Sequence, residues 1–288
     1  MAADSPFTVD ADWLQQQLGK PGVTIVDASW YLPAHNRDPR AEYEAAHIPG
    51  AVFLDQDAVS DPASNLPHSL PGPQYFSRFV GTLGISADDT IVIYDGPGFF
   101  SAPRAWWMFR IMGVYQVFVL DGGFDNWKAQ ARPTTSQATK IAPCVFHAEF
   151  DEKSVVSLAQ MRKIVDERKS QIADARGAGR FAGTEPEPRA GVRSGHMPGA
   201  YNVPVNTLSK DGMLLPIPQL CRLFEEAGLD LTRPIITSCG SGITAAALTL
   251  ALETLGHGDN RLYDGSWTEW GSLSDTPVET GAGKAAQS

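Results

Sequence analysis

The chain carries the same landmarks twice in the same order, and this repeat constrains its fold more than any other feature. His47-Ile-Pro-Gly-Ala51 returns 149 residues later as His196-Met-Pro-Gly-Ala200. Val119-Leu-Asp-Gly-Gly123 is matched after 143 residues by Leu262-Tyr-Asp-Gly-Ser266, and each is followed by an aromatic-rich turn ending in Trp127 or Trp270. Asp27 closes the apolar run Val23–Val26, and Asp174 follows Gln171-Ile-Ala in the same way. Spacings that drift by only a few residues mark a duplicated domain. A length of 288 residues also suits two domains.

Within each copy, short apolar runs alternate with stretches of helical periodicity. Val23–Val26, Val52–Leu54, Ile91–Tyr94 and Val117–Leu120 read as buried strands of the first copy, and Tyr201–Val203, Ile235–Thr237 and Arg261–Tyr263 as those of the second. Helices are expected over Gln74–Leu83, Pro103–Met112, Gln219–Ala227 and Thr244–Leu255. The alternation predicts an α/β fold, two tandem domains each with a mainly parallel sheet flanked by helices. Ligands are then expected at the C-terminal ends of strands. The expected domains are residues 1–131 and 151–279, joined by a polar linker over 132–150 and followed by a flexible tail, 280–288. The irregular insertion Arg180–Gly195, rich in Gly, Pro and Arg, has the length and composition of a functional loop.

A formal charge of −10 argues against nucleic acid or an acidic membrane as partner, since both select a basic surface. No run approaches the ~20 apolar residues of a membrane helix. The opening MAADSPFTVD has neither a basic region nor an apolar core, so a cytoplasmic location is expected. The six histidines are dispersed and form no ligand spacing with Cys or acidic residues, so neither metal nor cofactor is expected. Cys144, Cys221 and Cys239 are too few and too scattered for a disulfide framework, which fits a reducing compartment.

One cysteine has unusual company. In Pro234-Ile-Ile-Thr-Ser-Cys-Gly-Ser-Gly-Ile-Thr-Ala-Ala-Ala247 a strand runs into a small-residue loop and then a helix, with Cys239 just past the strand. Gly240 and Gly242 let consecutive amides turn inward, and Thr244 is expected to cap the helix. A helix start and a ring of amides from Gly240, Ser241, Gly242, Ile243 and Thr244 favour an anion, the thiolate included. The first copy has Asp95-Gly-Pro-Gly98 at the matching place, and an aspartate cannot hold a sulfane sulfur. Cys221, on an amphipathic helix, and Cys144, near the linker, read as inert.

The loop CGSGITA resembles the active loop of tandem rhodanese-domain sulfurtransferases, closest to the 3-mercaptopyruvate type. The resemblance extends from about Val9 to Trp270 through DASWYLP at Asp27–Pro33, HIPGA at His47–Ala51, SAPRAWWMFR at Ser101–Arg110 and GRFAGTEPEPR at Gly179–Arg189. It implies an inactive N-terminal copy and a Cys239 that takes sulfur from 3-mercaptopyruvate as a persulfide. The acceptor would be thioredoxin, another thiol or cyanide. It also implies that Arg180 and Arg189 hold the substrate carboxylate, as planar guanidiniums suit. Ser241 would relay a proton with a histidine and an aspartate, for which His47 and Asp38 are the candidates. His47 has a twin in His196, which favours a fold role for it. Arg193 reads as a surface charge, and Trp106 and Trp107 as packing.

Three rivals remain in view. Enzymes of the family that prefer thiosulfate carry basic residues just after the cysteine, where this chain has Gly240 and Ser241. A cysteine phosphatase needs an arginine six residues beyond its cysteine, and Ala245 stands there. A non-catalytic rhodanese-like binding module would have no use for Cys239.

Overall fold

The computed structural model describes residues 5–283, and they divide into two compact units. Unit 1 holds residues up to Ala63, Leu70–Asp151 and the short segment Ser209–Leu214; unit 2 holds Ser64–Ser69, Glu152–Leu208 and Leu215 onward. Each repeat therefore gives one short segment to the other's unit.

The strands of unit 1 are β1 (Thr8–Val9), β2 (Val23–Asp27), β3 (Ala51–Phe53), β4 (Thr90–Tyr94) and β5 (Val117–Leu120). They form one parallel sheet in the order β1-β5-β4-β2-β3. In unit 2, β6 (Val155–Val156), β7 (Gln171–Asp174) and β8 (Tyr201–Asn202) precede a hairpin, β9 (Ser209–Lys210) and β10 (Met213–Leu214), whose residues belong to unit 1. After it come β11 (Ile235–Ser238) and β12 (Asn260–Tyr263), giving a second parallel sheet, β6-β12-β11-β7-β8. The two orders are the same when each strand is matched to its repeat, as a duplicated domain requires. Ile91, Val92, Ile93 and Tyr94 are all fully buried, as are Ile235 and Ile236. Sheets covered on both faces by helices select such uninterrupted apolar runs.

The helices of unit 1 are α1 (Ala11–Gln17), α2 (Pro39–Ala45), α3 (Pro73–Thr82), α4 (Ala102–Ile111) and α5 (Gly123–Ala129). Those of unit 2 are α6 (Leu158–Glu167), α7 (Ala178–Ala182), α8 (Ile217–Glu226), α9 (Ala245–Thr254) and α10 (Ser266–Ser272). Their starts follow local chemistry. Asp10 and Asp38 cap α1 and α2 by accepting from the amides of Trp13 and Ala41, and Ser157 with Gln160 closes a reciprocal box on α6. Helix α9 is buried nearly all round, so its Ala and Leu content reflects a central position rather than an amphipathic face. The cores form around Ile25, Val92, Leu120 and Trp127 in unit 1 and around Ile172, Ile236, Tyr263 and Trp267 in unit 2. Trp106 and Trp107 pack inside unit 1, the former donating from Nε1 to Val117 O at 3.2 Å.

The stretch 132–150, expected to join the domains, lies along unit 1. Thr135 exchanges backbone bonds with His47, Cys144 N–H donates to Gly81 O at 3.0 Å, and Phe146 is buried against Phe76 and Phe109. Of the expected tail, Gly281 N–H donates to Ala182 O at 2.9 Å, while 284–288 fall outside the described residues. The guanidinium of Arg193 is fully engaged rather than solvated, bonding Gly271 O, Trp270 O, Leu273 O and both Thr276 oxygens.

Candidate active site

Strand β11 ends at Ser238, and the chain turns through Cys239-Gly-Ser-Gly242 before α9 begins at Ala245. Cys239 is 1% exposed. Its backbone is pinned from α10: Cys239 N–H donates to Ser266 Oγ at 3.2 Å, and Cys239 O accepts from Trp267 N–H at 2.9 Å. Gly240 O accepts from both the amide and the hydroxyl of Thr268. These bonds hold the loop as a rigid collar. Gly242 has φ +86, the left-handed region that a side chain disfavours, and its N–H points at Cys239 Sγ at 3.1 Å. Thr244 stands at the N-cap position as expected, but its side chain makes no capping bond, so the start of α9 rests on the loop backbone.

The matching loop of unit 1 shows what this geometry binds. Asp95 takes the place of Cys239 and is fully buried. Its Oδ1 accepts from Gly98 N–H at 2.6 Å, and its Oδ2 accepts from the amides of Phe100, Ser101 and Ala102 at 2.9, 2.6 and 2.8 Å. Four inward amides thus close on one carboxylate, an anion cradle filled from within. Gly242, Thr244, Ala245 and Ala246 occupy the corresponding positions around Cys239. An aspartate Oδ lies one bond beyond Cγ, as the outer sulfur of a persulfide lies one bond beyond Sγ.

Ser241 is buried, and its Oγ is hydrogen-bonded to His68 Nδ1 at 2.7 Å. His68 is 4% exposed, adopts a left-handed φ of +57, and belongs to the segment Ser64–Ser69 that unit 2 takes from the first repeat. A left-handed non-glycine residue bonded to the loop that carries the candidate nucleophile is backbone strain at a functional place. His47 and Asp38 are corrected on these grounds. Both ring nitrogens of His47 face backbone carbonyls, Tyr43 O at 2.7 Å and Gln137 O at 3.2 Å, and its ring stacks on Tyr43. Its twin His196 stacks on Phe181 and bonds Phe181 O, so the pair is a repeated fold element. Asp38 is exposed and is the helix cap already described.

Arg180 lies on α7 with its Nη2 only 3.0 Å from where a Cβ on Gly240 would stand. The glycine is needed less for its backbone than to leave room for the guanidinium. Glu187 accepts from Arg180 Nε and Nη2, at 3.2 and 2.5 Å, and its Oε1 accepts from Arg176 Nη1 at 2.7 Å. Arg176 in turn bonds both Asp174 oxygens and Gly195 O and lies over the Trp267 ring. This buried run of alternating charges starts at the end of β7 and finishes over the cysteine loop. Arg180 Nη1 has no hydrogen-bond partner among the described residues. Arg189 is half-buried in the same insertion.

Sequence reasoning missed His68, Arg176 and Glu187. The signal for Arg176 was present: Asp174-Ala-Arg176 differs from its twin Asp27-Ala-Ser29 by one cation, just as Cys239 differs from Asp95. The remaining cysteines lack the glycine loop and helix start that surround Cys239. Burial pushes the Cys221 thiol up, with Glu225 adding to the effect, and burial together with the Asp89 charge does the same for Cys144. Among the described residues, no cluster of His, Cys, Asp or Glu is arranged to hold a metal ion, and no helix is long and apolar enough to cross a membrane.

Comparison with known proteins adds independent findings. The rhodanese-like domain model matches residues 10–130 and again 157–273. A 3-mercaptopyruvate sulfurtransferase of Escherichia coli strain K12 is 43% identical, the alignment spanning 94% of this chain and 97% of that one. The thiosulfate/3-mercaptopyruvate sulfurtransferase 1 of Arabidopsis thaliana, a mitochondrial protein by name, is 40% identical over 94% of this chain and 78% of its own. The crystal structure of SseA from Escherichia coli, described as a 3-mercaptopyruvate sulfotransferase of rhodanese fold, matches with a TM-score of 0.84 at 40% identity, covering 91% of this chain and 98% of that one.

Proposed function

This chain belongs to the rhodanese-like family, and on that premise we propose that it moves sulfur from 3-mercaptopyruvate to a thiol or cyanide through a persulfide on Cys239. The observation that carries the reading is the pair of matched loops. One amide cradle is filled by the Asp95 carboxylate, and the other surrounds a buried cysteine whose sulfur already accepts from Gly242 N–H.

The Cys239 thiolate attacks the donor sulfur, forming an S–S bond as the C–S bond breaks. The bonding pair passes to carbon as the enolate of pyruvate. The proton that the donor thiol carried moves to that carbon, so pyruvate leaves and Cys239 holds a persulfide anion with no net proton taken up. Ser241 and His68, 2.7 Å apart, are suited to carry this proton between sulfur and carbon. The amides at the start of α9 stabilise the outer sulfur as their counterparts stabilise Asp95. Arg180 and Arg189 bind the donor carboxylate, and the unpartnered Nη1 of Arg180 supports this. An acceptor thiolate then attacks the outer sulfur, the S–S bond breaks, and Cys239 returns as thiolate. Unit 1, with Asp95 in place of the cysteine, is the inactive copy. A cytoplasmic site of action is part of the proposal and is supported by three free cysteines.

Thiosulfate is the second donor to weigh, because it stands in the names of several relatives. Gly240 and Ser241 bring no positive charge to the loop for a dianion, which favours the monocarboxylate donor. Steady-state rates with the two donors, measured side by side, test the assignment. A kcat/KM for mercaptopyruvate well above that for thiosulfate is expected, and the reverse order would overturn it.

A further inference from the structure

Residue Arg180 has a twin. In unit 1, Arg37 Nη2 lies 2.8 Å from where a Cβ on Gly96 would stand, and Gly96 is the counterpart of Gly240. Arg37 is gripped by Glu42 through Nε at 2.8 Å and Nη2 at 2.7 Å, the same two nitrogens by which Glu187 grips Arg180. The glutamate clamp is therefore a repeated device for laying a guanidinium across the loop glycine. What differs is the rest of the guanidinium. Arg37 Nη1 is taken by Asp125 at 3.1 Å and its face lies over Tyr31. The counterpart of Asp125 is Thr268, a neutral residue whose hydroxyl donates to Gly240 O at 2.6 Å, and Arg180 Nη1 is left open.

The clamp of unit 2 is also held more firmly. The Glu42 side chain is 37% exposed, whereas that of Glu187 is 4% exposed. Arg176, itself 1% exposed at its side chain, grips Glu187 from the side away from Arg180 and is anchored by Asp174 at the end of β7. Unit 1 has Ser29 in place of Arg176 and no such anchor. A flexible arginine on a helix of five residues is thus tied to the sheet through one buried carboxylate.

We propose that Glu187 is a positioning residue: it sets the guanidinium of Arg180 over the Cys239 loop, with Nη1 presented, and through it governs the loading of sulfur from an anionic donor. The inference rests on the proposed function for the identity of that donor. Glu187 touches no substrate in this scheme, and unloading to a neutral thiol does not call on it.

The test follows the two half-reactions separately by rapid mixing, in the wild type, Glu187→Gln, Arg180→Ala and the double variant. Pyruvate release reports loading from mercaptopyruvate, and loss of the persulfide to dithiothreitol reports unloading. Glu187→Gln is expected to raise the donor concentration for half-maximal loading about tenfold or more, the worth of one charge-assisted bond, with unloading within about twofold of wild type. Added to Arg180→Ala, the glutamate change is expected to have almost no further effect on loading, because it acts through that arginine. Glu187→Asp keeps the charge on a shorter stem and is expected to fall between wild type and Gln, so the role can be read even where Gln folds poorly. Unchanged loading, an equal slowing of both half-reactions, or fully additive effects of the two changes would overturn the proposal. The wild type in the same assay tests the donor assignment, and the ratio of variant to wild type tests Glu187.

Discussion

Asp27 and Asp174 close matching strands, yet only Asp174 has a guanidinium beside it, and the difference makes stability depend on pH in a calculable way. Asp27 is 3% exposed, its carboxylate accepts from Ser29 N–H at 2.9 Å, and it faces Tyr94 and the Asp95 charge with no cation in contact. Burial, only partly offset by those hydrogen bonds, pushes its pKa from 3.8 up to about 6. Between those values the folded chain binds the proton more tightly than the unfolded one, so stability falls as pH rises, and above about 6 the cost is fully present. A shift of roughly two units corresponds to about 3 kcal/mol as an upper figure. Asp27→Asn keeps an acceptor for Ser29 and removes the ionisation. Urea unfolding of wild type and variant at pH 4 and at pH 7.5 should then show the variant gaining by about 1–3 kcal/mol between the two pH values, whatever fixed offset the amide itself brings. The mirror change, Asp174→Asn, strips Arg176 of one of its two buried counter-charges and should cost about 3–5 kcal/mol at neutral pH. A difference between wild type and Asp27→Asn that is the same at both pH values would refute the reasoning.

Two further outcomes follow from the site. Ser241→Ala and His68→Asn should each lower kcat with mercaptopyruvate by about 100-fold or more, because a carbon must be protonated. They should leave unloading of a preformed persulfide nearly intact, and equal loss in both half-reactions would remove the pair from proton transfer. Arg180→Ala and Arg189→Ala should mainly raise KM, by roughly 10- to 150-fold for a charge-assisted bond of about 1.5–3 kcal/mol. Unchanged kinetics in both variants would return these arginines to a structural role.

The strands legible in the chain were those buried on both faces, and the legible helices were those with an apolar stripe, such as α3 and α8, or an unbroken apolar run, such as α9. Ile91–Tyr94 and Ile235–Thr237 read as strands because parallel sheets leave no polar face to blur the pattern. Two-residue edge strands such as Thr8–Val9 and Val155–Val156 are set by pairing with β5 and β12, which no local pattern announces. Cys239 was legible because glycines and a helix start surround it, and because its twin is Asp95. The partner of Ser241 was not, since 173 positions separate it from His68 and the segment that carries His68 joins the other repeat's unit. The duplication nonetheless contained a clue. His47 and His196 are twins and serve the fold, whereas His68 is one of four histidines without a twin, and it is the one that meets the loop of Cys239. Thr244 shows the opposite failure: the position was right, but no side-chain cap forms, and the loop is held instead by the Ser266 hydroxyl and the amides of Trp267 and Thr268.

In the proposed mechanism Cys239 alone carries the transferred sulfur. Intact-mass measurement after exposure to mercaptopyruvate, with the acceptor withheld, tests it most directly. One added sulfur atom is expected in the wild type, retained in Cys221→Ser and Cys144→Ser and absent in Cys239→Ser. Sulfur that persists in Cys239→Ser, or that maps mainly to Cys221 or Cys144, would contradict it.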